Sequence, residues 1–480
     1  MLLIGPVLRV LGYFCVALAL LMLVPAAVDL YANNPDWLAF ALTAIFIGMI
    51  GLLLSVATSG YQIERISTRQ AFLITASAWF LLPAAGALPF LGLGIGFVDA
   101  FFESASGFTT TGSTVLIGLD SMPPGLLLWR SLTQWVGGVG IIVMAIMLMP
   151  RLRIGGMQLF RTESSDKSDK IFSRAGDQMR YIAGVYMVLT GICVFGYLLF
   201  GMDLFDAVNH AMTTLSSGGF STHDASFAHF DGLGVRVVAI VFMMAAGLPF
   251  VLLVKSLTKS PLALFRDPQA QVFFKSLLVI SICMTIYLGA AHQWAFGEAL
   301  VDSLFVVTSI VTTTGYGLGD YTTWGAPMVG VVFMMTLMGG CTGSTAGGIK
   351  TFRFMVFFGT VRAHMRQMLR PDRVVVVRYG DTQITPDLAF SVLAFFVVYM
   401  GTVVGLTVVL GGLGLDLVTA LSAAATALGN VGPGLGDQIG PVGSFAELPE
   451  SAKAVLAVAM LLGRLELFTI ILLFDPEFWR

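Results

Sequence analysis

The sequence predicts an all-helical (all-α) integral membrane protein of ten spans. An N-terminal two-helix hairpin precedes four pseudo-symmetric units of span, short helix, glycine-centred loop and span around one pore. Three observations carry that expectation. Hydrophobic residues fill 57% of 480 positions and charged ones only 11%, against about 25% charged in soluble domains, and mean hydropathy is +0.88. Ten apolar runs approach the ~20 residues needed to cross a hydrocarbon core. Four stretches rich in Gly, Thr and Ser recur at matching places between those runs.

The runs fall near 6–30, 37–58, 71–93, 123–150, 180–201, 234–257, 272–291, 326–350, 387–411 and 451–474. The first imitates a signal peptide, with Arg9 ahead of it and Pro25-Ala26-Ala27 near its end. It is longer than an h-region of about 7–15 residues, and a second run follows at once, so it reads as a retained span. The connections after the second, fourth, sixth and eighth runs hold two, seven, four and seven basic residues, 20 of the chain's 26. The positive-inside rule makes that side cytoplasmic, together with both termini. A net charge of -2 says nothing about partners. Cys15, Cys193, Cys283 and Cys341 show neither a CxxC nor a Cys/His spacing and read as packing residues.

The glycine-centred stretches align on Gly112, Gly219, Gly315 and Gly432. They read Thr110-Thr111-Gly112-Ser113-Thr114, Ser217-Gly218-Gly219-Phe220-Ser221, Val311-Thr312-Thr313-Thr314-Gly315-Tyr316-Gly317 and Asn430-Val431-Gly432-Pro433-Gly434. Thirteen positions before each glycine stand Asp99, Asp206, Asp302 and Thr419. A repeat of roughly 95 to 120 residues suits one supersecondary unit used four times. The units are 61–158, 159–262, 263–375 (with a broken second helix) and 376–480, after the accessory hairpin 1–60.

Within each unit a short helix precedes the loop, at about Val98–Thr110, Leu204–Ser217, Ala299–Thr312 and Leu417–Leu428. These are too short to span a bilayer. The three aspartates suit their N-terminal ends as caps facing the positive dipole end, which leaves the negative end aimed at the loop. Non-helical backbone at membrane depth is tolerated only when buried in protein or lining water, so four such interruptions argue for one axial pore.

The third stretch is close to the Thr-Val-Gly-Tyr-Gly loop of potassium channels, whose carbonyl oxygens replace an ion's hydration shell. The loops carry Thr, Ser, Gly and Asn with no acidic ring, which suits a monovalent cation rather than a divalent one. Thr110, Thr111, Gly112, Ser217, Gly218, Gly219, Thr313, Thr314, Gly315, Asn430, Val431 and Gly432 are therefore the candidate ion-binding residues.

Nearly the whole chain resembles the TrkH/TrkG branch of the Trk/Ktr/HKT superfamily of potassium transporters. The resemblance rests on the hairpin, the four units, Gly219-Phe220-Ser221-Thr222, Gly429-Asn430-Val431-Gly432-Pro433-Gly434 and the closing Phe478-Trp479-Arg480. Glycine at all four loop positions goes with potassium preference in that family, so the resemblance implies potassium. It also implies a homodimer in the bacterial inner membrane and a separate cytoplasmic ring of nucleotide-binding RCK subunits of TrkA type. No G-x-G-x-x-G follows a strand here, so no nucleotide site is expected on this chain.

Two further features stand apart. Gly339 to Lys350 is too rich in glycine for a helix interior, where each costs about 1 kcal/mol against alanine. It fails the phosphate-loop pattern because Ile349 separates Gly348 from Lys350. Gly343, Ser344, Thr345, Ala346, Gly347 and Gly348 instead suit a movable break under the loops, and the family places a pore-obstructing intramembrane loop there. Arg464 is a costly charge within the last run and a functional candidate; the resemblance makes it part of the gate. Glu466 is expected to be a poor partner for it, facing elsewhere on one helix.

His210 is expected to make a polar contact on its short helix, and Glu103 to hydrogen-bond within the protein. His223, Asp224 and His229 are expected in an outer vestibule. The basic connections 151–180 and 350–378 suit anionic lipid and a docking subunit; nucleic acid is not an expected partner. A polytopic enzyme is disfavoured, since H-E-x-x-H, G-x-S-x-G and paired catalytic carboxylates are missing. No cofactor is expected on this chain, only the transported K+. The alternative function is a potassium symporter driven by protons or sodium through alternating access.

Overall fold

A computed structural model of the chain describes residues 4–61, 66–147, 175–258, 260–372, 375–380 and 382–479. Arg65, Lys259, Arg373, Arg480 and the basic stretch 151–174 lie outside the described residues.

The described residues are helical apart from loops and one two-stranded hairpin, Arg378–Tyr379 with Thr382–Gln383, which the sequence did not announce. Tyr379 anchors it by donating to Asp267 at 2.9 Å. Gly5–Tyr31 and Trp37–Ala57 form the expected N-terminal hairpin. They cross closely because a side chain on Gly51 would lie 2.7 Å from the Gly12 carbonyl oxygen. Small residues at a helix crossing are how backbones approach in a membrane, where hydrophobic collapse offers no drive. Outer faces carry exposed Leu53, Phe195 and Phe390, the composition a hydrocarbon solvent selects.

Among the described residues, six helices are long and apolar enough to cross a membrane: Gly5–Tyr31, Trp37–Ala57, Thr68–Gly92, Met179–Leu199, Pro268–His292 and Pro386–Gly412. The sixth and tenth expected spans are not continuous. Leu233–Ala246 turns by 102° into Phe250–Thr258, and Glu450–Arg464 by 101° into Leu467–Leu473. The count reaches eight if each bent pair is one span. The expected fourth run is the helix Pro124–Met147, while the eighth keeps only Ala326–Thr336 before the backbone leaves helical geometry.

Between these lie the four short helices, Phe97–Phe108, Leu204–Leu215, Phe296–Val311 and Leu417–Gly429, within a few residues of expectation. Their capping differs from it. Asp203 caps the second, accepting from the Asp206 N–H at 2.7 Å. Asp416 caps the fourth, accepting from Val418 and Thr419 at 2.9 and 3.1 Å. Asp99, Asp206 and Asp302 instead pair outward, with Lys453, His223 and Arg236. Each lies inside its helix, past the cap, where its side chain reaches a basic neighbour and not the unpaired N–H groups.

Three of the cysteines are buried as expected of packing residues, whereas Cys283 is exposed.

Candidate functional site

Each short helix ends in the same way. Thr110, Ser217, Thr313 and Asn430 all adopt positive φ, between 53° and 57°. The next N–H reaches back to the helix in every case, from Thr111 to Ser106, Gly218 to Thr213, Thr314 to Ser309 and Val431 to Thr426, at 2.8 to 3.1 Å. These are Schellman closures, which usually place glycine at the left-handed position. Here two threonines, a serine and an asparagine hold it. Left-handed backbone at non-glycine residues is uncommon and persists where the surroundings over-determine it.

The glycine follows two residues later, with φ of 87° at Gly112, 77° at Gly219 and Gly315, and 114° at Gly432. A side chain at Gly112 would strike the Gly218 carbonyl oxygen, one at Gly219 that of Thr314, and one at Gly315 that of Val431. At Gly432 it would lie 2.9 Å from the carbonyl oxygen of Thr111. Each glycine therefore abuts the residue ahead of the next glycine in chain order, and the fourth closes on the first. Ser113 donating to Gly432 O at 2.7 Å and Asn430 donating to Thr111 at 2.9 Å tie that closure.

Several supports come from residues the sequence reading passed over. Gln134 donates to Gly218 O at 2.7 Å and accepts from the Phe220 N–H at 3.0 Å, clamping the second loop. Arg130 donates to Ser221 O at 2.8 Å, stacks over Phe220 and pairs with Glu103 at 2.7 Å, fully buried. Polar Arg130 and Gln134, four apart in an apolar run, were the available signal. Tyr316 is buried behind the second short helix, bonded to Thr213 and Thr214 at 2.6 and 3.0 Å. Glu103 bonds within the protein as expected, also accepting from the Val115 N–H. His210 contacts Asp206 O and Ser221 at 2.9 Å each.

The stretch Leu337–Lys350 is non-helical and lies against one side of the ring. Thr345 shares a 2.8 Å hydrogen bond with Ser217, the Gly347 N–H donates to Thr313 Oγ1 at 2.6 Å, and that of Gly348 to Gly429 O at 2.8 Å. It also explains the bend at Gly247-Leu248-Pro249. Broken there, the helix leaves carbonyls that need donors. Cys341 and Thr345 N–H groups supply them to Gly247 O and Ala246 O at 2.8 and 3.2 Å.

Gly343, Ser344, Ala346, Gly347 and Gly348 line a cavity on that side together with Asn430, Lys350, Arg353, Glu466 and Arg464. Arg464 ends its helix at the second bend, 2% exposed. None of its three guanidinium nitrogens meets an acceptor among the described residues. Glu466, beyond the bend, pairs with Arg353 at 2.6 Å. It is indeed not the partner of Arg464, although the reason is the break and a competing arginine rather than the two faces of one helix.

On the opposite side, all four glycines line one cavity with Ser113, Phe220, His223 and Asp224. His223 bridges Asp120 at 2.5 Å and Asp206 at 3.0 Å. Burial works against its charge, but the bonds to Asp206 and Asp120 outweigh that and raise its pKa. The bond from His223 lowers that of Asp120.

A sequence profile described as "TrkH: Cation transport protein" matches residues 39–480. The chain is 42% identical to the Trk system potassium uptake protein TrkI of Halomonas elongata, over 99% of this chain and 97% of that one. It is 32% identical to the Trk system potassium uptake protein TrkH of Escherichia coli K12, over 98% of each. The crystal structure of the potassium transporter TrkH from Vibrio parahaemolyticus superposes with a TM-score of 0.92, at 31% identity and full coverage of both chains. The chain belongs to the TrkH family of integral membrane cation transport proteins.

Proposed function

We propose that this protein takes up potassium through a gated, channel-like pore whose selectivity filter is the four-glycine ring. The carrying observation is the closed order of that ring, in which each glycine abuts the carbonyl ahead of the next. Close-set backbone carbonyls without an acidic ring suit a weakly hydrated monovalent cation. The printed names of the relatives, potassium uptake proteins of Trk systems, support potassium as the cargo. Four units (61–158, 159–262, 263–375 and 376–480) would each supply one loop, behind the hairpin 1–60.

Residues 343–348 would form the gate, lying across the inner side of the filter, with the Arg464 charge raising the barrier for cations in the cavity beneath. The same reading places the chain in the inner membrane as a homodimer with cytoplasmic termini. A cytoplasmic nucleotide-binding subunit of RCK type would dock on its basic surface, since a "system" in the relatives' names supports more than one component.

The test is potassium and sodium flux into liposomes holding the purified chain, wild type and Gly315→Ser, under an imposed proton gradient. Potassium-preferring flux that follows its own gradient and loses preference in the variant is expected. Uphill accumulation driven by protons would overturn the pore and install the symporter. Silence relieved by adding the cytoplasmic subunit would locate the gate's control there.

A further inference from the structure

We infer that the outer mouth carries a binding site for a divalent transition cation of zinc type, built from Asp120, His223 and His229. Their ligand atoms all lie within 4.8 Å of one another. Asp120 Oδ1 lies 2.5 Å from His223 Nδ1. The His229 ring now stacks parallel to that of His223, centroids 3.5 Å apart, and because a ring nitrogen ligates in its own plane, the exposed His229 must turn out of the stack to join the ion. Two imidazoles and one carboxylate are a three-ligand zinc set, and imidazole selects zinc-like cations over calcium or magnesium.

The surroundings supply what such a site needs beyond its ligands. A ligating histidine almost always gives its other N–H to a carboxylate, which fixes ring and tautomer. Asp206 takes that part, accepting from His223 Nε2 at 3.0 Å while Thr222 donates to Asp206 at 2.6 Å. The second oxygen of Asp120 accepts the Asp224 N–H at 3.3 Å, and Asp224 in turn accepts that of Gly118 at 3.0 Å. Asp120 and His229 are exposed on short 3-10 turns, so both can draw in around an anchored His223. A cation entering there displaces the proton between Nδ1 and Asp120, which leaves to water.

His223 lines the outer cavity shared by the four glycines. Resting on the pore reading above, a bound divalent charge at that wall lowers cation entry. It also staples the outer segment after the first glycine loop to that after the second.

Untagged full-length chain, stripped with chelator and placed in nanodiscs, is titrated with zinc chloride by calorimetry, and zinc per chain is counted after desalting. One zinc per chain is expected, with affinity at least about tenfold weaker in exposed-site His229→Ala and in Asp206→Asn. Parallel liposome flux is expected to fall with zinc in wild type and to ignore it in His229→Ala. Absence of stoichiometric zinc, or binding undiminished in His229→Ala, overturns the site. Binding as expected with flux unmoved upholds the site and overturns its effect on transport, whatever becomes of the pore reading.

Discussion

The ring of glycine loops and the stretch beneath it are both glycine-rich, both non-helical and only a hydrogen bond apart, yet they are held in opposite ways. In the ring, four Schellman closures repeat one geometry, and each loop presses on the next until the circle closes. Gln134, Arg130 and Tyr316 brace it from outside. The inner stretch has no repeat. It hangs from scattered single bonds to Ser217, Thr313, Gly429 and the broken helix at Gly247, above a buried guanidinium with no acceptor among the described residues. Mutual bracing suits a part that must keep one shape. Scattered bonds of ~1 kcal/mol each are what the proposed gate would have to break.

The sharpest way to break the ring is Gly219→Val. Its Cβ would fall on the Thr314 carbonyl oxygen at a φ of 77°, so the neighbour, being backbone, must move. Loss of potassium preference by at least about tenfold is expected in liposome flux, tenfold being about 1.4 kcal/mol. Gly94→Ala is the control, with a similar φ of 83° but nothing within 4 Å. It should cost about 1–2 kcal/mol of left-handed strain and leave ion preference alone. Equal selectivity loss in both would mean that strain, not the ring contact, matters.

Bracing is tested next. Arg130→Met leaves Glu103 charged and buried, and breaking a buried pair costs about 3–5 kcal/mol. Because Arg130 also holds Ser221 O, selectivity should decline together with thermal stability. Arg464→Gln should behave oppositely. Removing an unpaired buried charge ought to leave stability equal or higher while raising basal flux, by about tenfold if the charge adds ~1.4 kcal/mol to the barrier. A fall in stability with no gain in flux would make Arg464 structural.

How much of this was legible follows the same divide. The ring glycines could be read because they recur between apolar runs with the same local register, thirteen positions after Asp99, Asp206, Asp302 and Thr419. The left-handed residues before them could not, since Thr110, Ser217, Thr313 and Asn430 are of three residue types and none is glycine. The inner stretch was visible as a helix break, but its consequences were not. Hydropathy runs straight through Gly247-Leu248-Pro249 and Leu465-Glu466, so both bends read as continuous spans, although Gly-x-Pro was a signal at the first. The pairing of Glu466 with Arg353 joins residues far apart in sequence, and no local pattern carries it. The caps were misassigned, by about one turn at Asp99 and Asp206 and by two at Asp302, because an aspartate near a helix start and an aspartate at a cap look alike until the chain's path is known.

That last confusion yields the smallest test. Asp416, exposed, accepts the Val418 and Thr419 N–H groups at the start of the fourth short helix. Asp416→Ala should cost about 1 kcal/mol, the usual worth of a cap, read as a modest drop in thermal stability. At the other end of this helix Asn430 is held separately, by Thr111 and by Met460 O at 2.9 Å each. If the ring is braced from around its own circle, ion preference in Asp416→Ala stays at the wild-type value despite the weakened helix. A loss of preference would mean that the short helices, rather than the loop-to-loop contacts, set the ring's shape, and the contrast between braced ring and hung stretch would have to be redrawn around helix ends.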